Sequence, residues 1–205
     1  MIEFFNSIKN FTVIVTLFAL HAIFIENAIF TRALGSSTSL FIIRKKHNIF
    51  LFGIVLTAIT TLSTVIVIIT GNIFPQFTEK SYYIPLFLIT VISFVYLFSL
   101  LAVKFLLKKN KTKFTSKIHL SAFNCAVLGA LLIGLESNIT SVEFIGFGLG
   151  MGIGFALATF LISVSHDYLY SENIPKAFRG YPITLLYIGI LSLAFYGFIA
   201  NELSI

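Results

Sequence analysis

"HLSAFNCAVLGALLIG", His119–Gly134, sets an amide and a thiol inside an otherwise apolar run. A buried Asn is costly unless it is hydrogen-bonded, so Asn124 marks a place where the backbone offers unpaired groups. Cys125 is the chain's single cysteine. One thiol excludes an internal disulfide and any self-contained tetracysteine metal site. The run reads as a membrane segment interrupted near Asn124–Gly129, and that reading decides the fold.

The rest of the chain supports a membrane protein. Of 205 residues 58% are hydrophobic and 11% charged, against about 25% charged in an ordinary soluble domain. Ile49–Thr70, Tyr82–Val103, Phe144–Ser165 and Tyr181–Ala200 are uncharged and long enough to cross a bilayer, which takes roughly 20 apolar residues. Phe11–Ile43 and Ile118–Leu135 are apolar but broken by polar residues. Six membrane segments follow, in one domain spanning 1–205. The N-terminal stretch lacks the charge pattern and cleavage site of a signal peptide and is taken as the first segment.

Phe11–Ile43 raises the same question as the opening run. As one helix it would be about 50 Å long at ~1.5 Å per residue, against a hydrocarbon core of roughly 30 Å. It holds Glu26, Asn27, Thr31, Arg32, Gly35 and four hydroxyl residues, Ser36 to Ser39. Two shorter helices joined by irregular backbone near Asn27–Gly35 suit it better. Such backbone is tolerated at membrane depth only where protein or a polar cavity covers it. "ENAIFTRALG" and "FNCAVLG" each place Leu-Gly soon after an Asn, and each opens a group of three segments. Three segments per half make the halves, about 1–107 and 114–205, an inverted repeat, and paired interruptions point to a central site between them.

The basic residues orient the chain. Arg44, Lys45, Lys46, Lys104, Lys108, Lys109, Lys111, Lys113, Lys117, Lys176 and Arg179 fall in connections that share one side, and only Lys9 and Lys80 fall on the other. The excess of Lys and Arg in cytoplasmic loops places both termini outside. The net charge of +6 is thus a matter of topology and does not mark a nucleic-acid surface.

"GFGLGMGIGFALA", Gly146–Ala158, is no dinucleotide fingerprint, since no strand precedes it and Met151 breaks the spacing. On a helix, Gly146/Gly150/Gly154 and Gly148/Gly152 form two small-residue rows that admit close helix packing or leave room for a neighbouring group. Glu26 and Arg32 are ionisable residues at membrane depth and therefore functional candidates. Six residues apart, they pair only across a break. Asn27 and Asn124 are expected to bond exposed backbone at the two interruptions and to shape any polar site there. No nucleophile–base triad, P-loop or pair of catalytic carboxylates is present.

"NCAVLG", "IPKAFRGYPIT", "LSLAFYGF" and "FIENAIFTRALG" together resemble the membrane subunits of the Rnf and Nqr ion-translocating oxidoreductases, most closely the A-type component of Rnf and the E-type component of Nqr. The resemblance covers nearly the whole chain. It implies an all-α protein of six transmembrane helices in two inverted three-helix repeats, with segments one and four split into half-helices. It also implies a paralogous partner of opposite orientation, other subunits carrying flavins and iron–sulfur centres, and residence in a bacterial-type inner membrane. Electron transfer would be coupled to Na⁺ or H⁺ movement, with the chain itself a non-catalytic component. In the family each of the paired chains offers two cysteines to a shared [2Fe–2S] cluster. Cys125 matches one; at the other, Leu34-Gly35-Ser36-Ser37 puts Ser37 where the family has its thiolate. Ser37 is then either a degraded ligand position or a cap for the half-helix that follows. Arg179-Gly180 matches a family motif suited to loop fixation or subunit docking. The alternative is a stand-alone, cluster-less paralogue acting as a small transporter, with Glu26 and the two interruptions forming its site, or as a non-redox scaffold.

Overall fold

The computed structural model describes residues 2–44, 48–73, 83–106, 111–137, 139–169, 171 and 174–202. Among them every regular element is a helix: α1 (Ile2–Phe24), α2 (Ser36–Arg44), α3 (Ile49–Ile73), α4 (Ile84–Leu106), α5 (Lys111–Ala122), α6 (Cys125–Glu136), α7 (Ser141–Leu169) and α8 (Tyr181–Glu202). Helices satisfy their own N–H and C=O groups, which is the condition for crossing lipid. Ile49–Gly71, Ile84–Phe105 and Ser141–His166 are long and apolar enough to do so, in agreement with three of the four uninterrupted runs. Lys9–Phe24 and Tyr181–Gly197 are shorter apolar helices. The loop residues Lys45, Lys46, His47, Lys80, Lys108 and Lys109 lie outside the described residues.

Both interrupted segments are seen. α1 ends at Phe24 and α2 starts at Ser36. α5 and α6 are separated by Phe123 and Asn124 and bent by 46°. The second interruption is shorter than the sequence suggested, for Gly129 lies inside α6. Its missing side chain serves packing instead: a Cβ there would collide with the side chain of Leu34.

α7 runs through the middle, packed along α1 and α3. Its glycines make this possible, and the two rows read from the sequence face different partners. A Cβ at Gly146 would stand 2.5 Å from the Val15 carbonyl oxygen, and one at Gly150 would strike the backbone of Ala19. A Cβ at Gly152 would stand 2.5 Å from the Cα of Thr57, and one at Gly148 equally close to the methyl of Thr64. One row thus seats α1 and the other seats α3. Where hydrophobicity cannot drive association, as between helices in lipid, such close backbone approach supplies the van der Waals contact that does. Met151, Phe155, Ala158 and Ile162 fill the interior from the same helix, and Phe52 of α3 meets the ring of Phe155 with centroids 6.0 Å apart.

Candidate functional site

The first interruption is a compact, self-capped turn. Asn27 is fully buried, and its Oδ1 accepts from the N–H groups of Ile29 (3.0 Å) and Phe30 (3.1 Å). These are donors that a helix start leaves orphaned, and a short polar side chain is the usual remedy. Its Nδ2 donates to the Ile23 carbonyl at 2.9 Å and to the Gly154 carbonyl at 3.1 Å. The second bond is available because Gly154 has no side chain to hold the backbone of α7 away. The turn closes with Ala33 N–H on the Ile29 carbonyl and Leu34 N–H on the Ala28 carbonyl. Ala33 has φ +56°. The first of these bonds, from a left-handed residue to the carbonyl four residues back, is the αL type of helix ending, with alanine where glycine is usual. Gly35 follows at φ +71° and turns the chain into α2.

The second interruption is capped by the equivalent residue type. Asn124 is extended (φ −90°, ψ 129°) and its Oδ1 accepts from Ala126 N–H at 3.1 Å, so it N-caps α6. Its Nδ2 is buried with no hydrogen-bond partner among the described residues. Asn124 also stands over Gly35: a Cβ on that glycine would lie 2.5 Å from Asn124 Oδ1 and 2.5 Å from the ring of Phe155. The Gly35 N–H donates to the Sγ of Cys125 at 3.0 Å. The two Asn–Leu-Gly stretches therefore meet, with glycine of each half against a side chain of the other: Gly35 under Asn124, Gly129 against Leu34.

Glu26 and Arg32 pair across the first interruption, as their spacing required. Arg32 Nε donates to one Glu26 carboxylate oxygen at 2.5 Å and Nη2 to the other at 2.8 Å. The planar fork of Arg matches a carboxylate in this two-bond geometry. The pair lies toward the outside of the chain, with side chains 45% and 21% exposed. Glu136, at the end of α6, places a second negative charge within electrostatic reach of Arg32.

Ser37 corrects one expectation. It lies inside α2, after Ser36, exposed and with no hydrogen bond among the described residues, so it does not cap the half-helix. The residue before α2 is Gly35, whose lack of a side chain and positive φ set that start. Cys125 is exposed too, at the first position of α6, and borders a cavity of about 270 Å³ with Ile89, Ser93, Phe123 and Leu128. Its sulfur receives the Gly35 N–H and stands at the N-terminal end of α6. The chain nonetheless offers one thiol where the resemblance implies two, and among the described residues no three His, Cys, Asp or Glu side chains converge. Of the two thiolates that the resemblance implies for this side of a shared [2Fe–2S] cluster, the chain supplies one, Cys125.

Arg179 and Gly180 lie far along the chain, in the turn before α8. Arg179 is exposed and its Nη2 donates to the Ile174 carbonyl at 3.2 Å, while Gly180 has φ +93° and accepts the Thr184 hydroxyl at 2.8 Å. These bonds shape the turn itself. Sequence reasoning passed over Gly154, Phe155 and Glu136 as parts of the site. Gly154 could have been found by asking which glycine of its row faces a buried amide; the other two give no signal of their own in a single sequence.

A family model described as Rnf-Nqr subunit, membrane protein, matches residues 15–200. The chain is 28% identical over 188 residues to the A-type component of the Na(+)-translocating ferredoxin:NAD(+) oxidoreductase complex of Acetobacterium woodii, covering 89% of this chain and 95% of that protein. It is 26% identical over 182 residues to the A-type component of the ion-translocating oxidoreductase complex of Vibrio vulnificus, covering 86% and 92%. Against the corresponding A-type component of Glaesserella parasuis serovar 5, identity is 37% over 75 residues, covering 37% of this chain and 39% of that protein.

Proposed function

The chain belongs to the Rnf-Nqr family of membrane subunits, and from that premise we propose that it serves as the A-type component of an Rnf/Nqr-type complex that couples electron transfer to Na⁺ or H⁺ translocation. The observation that carries the proposal is the juxtaposition of Gly35 and Cys125. Two interruptions 90 residues apart build one centre, and the relatives that match along nearly their full length are named as subunits of such complexes.

The proposed topology has six crossings with both termini outside, in a bacterial inner membrane. α1 and α8 add to the three long spans and the bent α5–α6 pair, and the loop lysines and arginines support the orientation. The order interrupted pair, long helix, long helix occurs twice, which supports two inverted repeats and a paralogous partner of opposite orientation. Asn27 and Asn124 hold the interrupted backbone in register, and Glu26 with Arg32 forms the polar site beside it. Cys125 would give the one thiolate from this side to a [2Fe–2S] cluster shared with the partner, since Ser37 stands where the second is implied; flavins and further iron–sulfur centres would sit in other subunits.

A second reading is favoured by Ser37 itself. A chain that has lost a ligand position while keeping the fold could work alone as a transporter or scaffold. Ion uptake separates the two. In inverted membrane vesicles, uptake of Na⁺ or H⁺ driven by a reduced electron donor should vanish when the gene is deleted and return with the wild-type chain. Donor-driven uptake that is unaffected by deletion, in vesicles with no second copy of this chain, would reject the leading proposal.

A further inference from the structure

Lys117 is a buried cation without a counter-charge among the described residues. It sits in the middle of α5, 7% exposed, and among the described residues its one hydrogen bond is a donation to the Asn48 carbonyl at 3.3 Å. An ammonium has three protons to place. Burial of an unpaired charge is strongly unfavourable, and the remedy is an anion or solvent.

The surroundings make the local excess of positive charge larger. Asn48 is the N-cap of α3, its Oδ1 accepting from Leu51 N–H at 3.1 Å, so Lys117 is held against the positive end of a helix dipole. Arg44 ends α2 at the same end of the molecule. Between Asn27 and Leu135 the sequence has a single acidic residue, Glu79, in the α3–α4 connection. In the same span the sequence supplies Lys45, Lys46, Lys104, Lys108, Lys109, Lys111 and Lys113 beside Arg44 and Lys117.

Lys117 lines a cavity of about 340 Å³ between α2, α3 and α5. Phe41, Ile42, Phe52 and Leu120 give it apolar lining, and Ser116, Lys117 and His119 give it polar lining. His119 is steadied by Tyr96, with the hydroxyl 2.7 Å from Nδ1. A cavity lined by a cation and a hydroxyl together with apolar side chains suits a group that is anionic at its head and greasy behind it. It lies about 9 Å along α5 from Lys111, at ~1.5 Å per residue, which is the depth of a headgroup region beside the basic loops.

We propose that this cavity is a binding site for the phosphate of an anionic phospholipid, with Lys117 and Ser116 facing the phosphate and Phe41, Ile42 and Phe52 the glycerol and first acyl carbons. The site is distinct from the Gly35–Cys125 centre. Basic pockets between membrane helices on the loop-lysine side recognise lipid headgroups by this combination of charge and apolar contact.

The test uses the full chain, purified and delipidated, with bound lipid counted by native mass spectrometry and confirmed by thermal shift. Phosphatidylglycerol should bind and stabilise, and phosphatidylcholine should not. Lys117→Met should weaken phosphatidylglycerol binding about tenfold, whereas Lys117→Arg and the exposed-site variant Lys104→Met should retain it. Lys117→Gln keeps a polar tip but carries no charge, so it gives the same comparison if the Met variant does not fold. Stabilisation by inorganic phosphate alone, equal to that by the lipid, would overturn the lipid assignment in favour of a soluble anion. Equal binding of both lipids, or phosphatidylglycerol binding unchanged in the Met and Gln variants, would overturn the site.

Discussion

The backbone N–H of Gly35 points at the thiol of Cys125 from 3.0 Å away, across 90 residues of sequence. Everything about the candidate site follows from how that contact is held. Gly35 can reach it because its φ of +71° and absent Cβ let the chain pass beneath Asn124 and above Phe155.

Gly35→Ala should therefore be among the most damaging single changes. The new methyl would meet Asn124 Oδ1 and the Phe155 ring at 2.5 Å, in a backbone region that L side chains avoid. A loss of about 2–4 kcal/mol is expected from strain and overpacking together. Thermal unfolding in detergent and the rate of Cys125 alkylation measure it: the midpoint should fall and alkylation should quicken. An unshifted midpoint would mean the two interruptions do not pack as described.

The α7 glycines give a contrast within one residue type. Gly150→Ala drives a methyl into the backbone of Ala19, while Gly189 and Gly197 in α8 have open space around a built Cβ. Gly150→Ala should destabilise by about 1–3 kcal/mol. Gly189→Ala and Gly197→Ala should be neutral or stabilise by up to about 1 kcal/mol through helix propensity. Their thermal midpoints, compared side by side, decide the matter.

The two asparagines should differ. Among the described residues the Asn27 side chain makes four hydrogen bonds and that of Asn124 one, with its Nδ2 left over. Asn27→Ala strands buried groups on both α7 and the turn, and roughly 2–4 kcal/mol is expected. Asn124→Ala should cost about 1 kcal/mol, the usual value of an N-cap. Equal losses in denaturation would contradict the assignment.

Glu26 and Arg32 should show a modest coupling. Their bonds are short and two-pronged, but the Arg32 side chain is 45% exposed, and exposed pairs contribute little. A double-mutant cycle with Glu26→Gln and Arg32→Gln should return roughly 1 kcal/mol. A coupling indistinguishable from zero would show that the pair does not organise the turn.

Much of this architecture was legible in the sequence, for identifiable reasons. Uncharged runs of bilayer length declare helices because lipid leaves the backbone no other way to bond, and three of them appear where expected. The excess length and polar load of Phe11–Ile43 exposed the first interruption, and Asn124 the second. Their meeting was legible only as a repeat, since nothing in "ENAIFTRALG" alone says that its glycine will lie beneath Asn124. The second break stops short of Gly129, where the sequence alone suggests it ends. Gly129 is a packing glycine, and what makes it one is Leu34, far earlier in the chain. Residue type makes Ser37 a candidate cap, but capping depends on where the helix begins, and a left-handed Gly35 starts α2 two residues too early for Ser37 to serve. The charge deficit around Lys117 could be read from the span poor in acids, yet only the fold shows that the lysine is buried.

The central claim is that the chain works as one component of a redox-driven ion-translocating assembly. The most direct measurement is isolation of the tagged chain from its native membranes in mild detergent, followed by mass spectrometry of what accompanies it and absorption spectroscopy for flavin and iron–sulfur centres. The predicted result is a paralogous membrane protein together with flavin- and iron–sulfur-bearing proteins in fixed proportion. A chain that elutes alone, or only with copies of itself, and carries no redox absorption would contradict it.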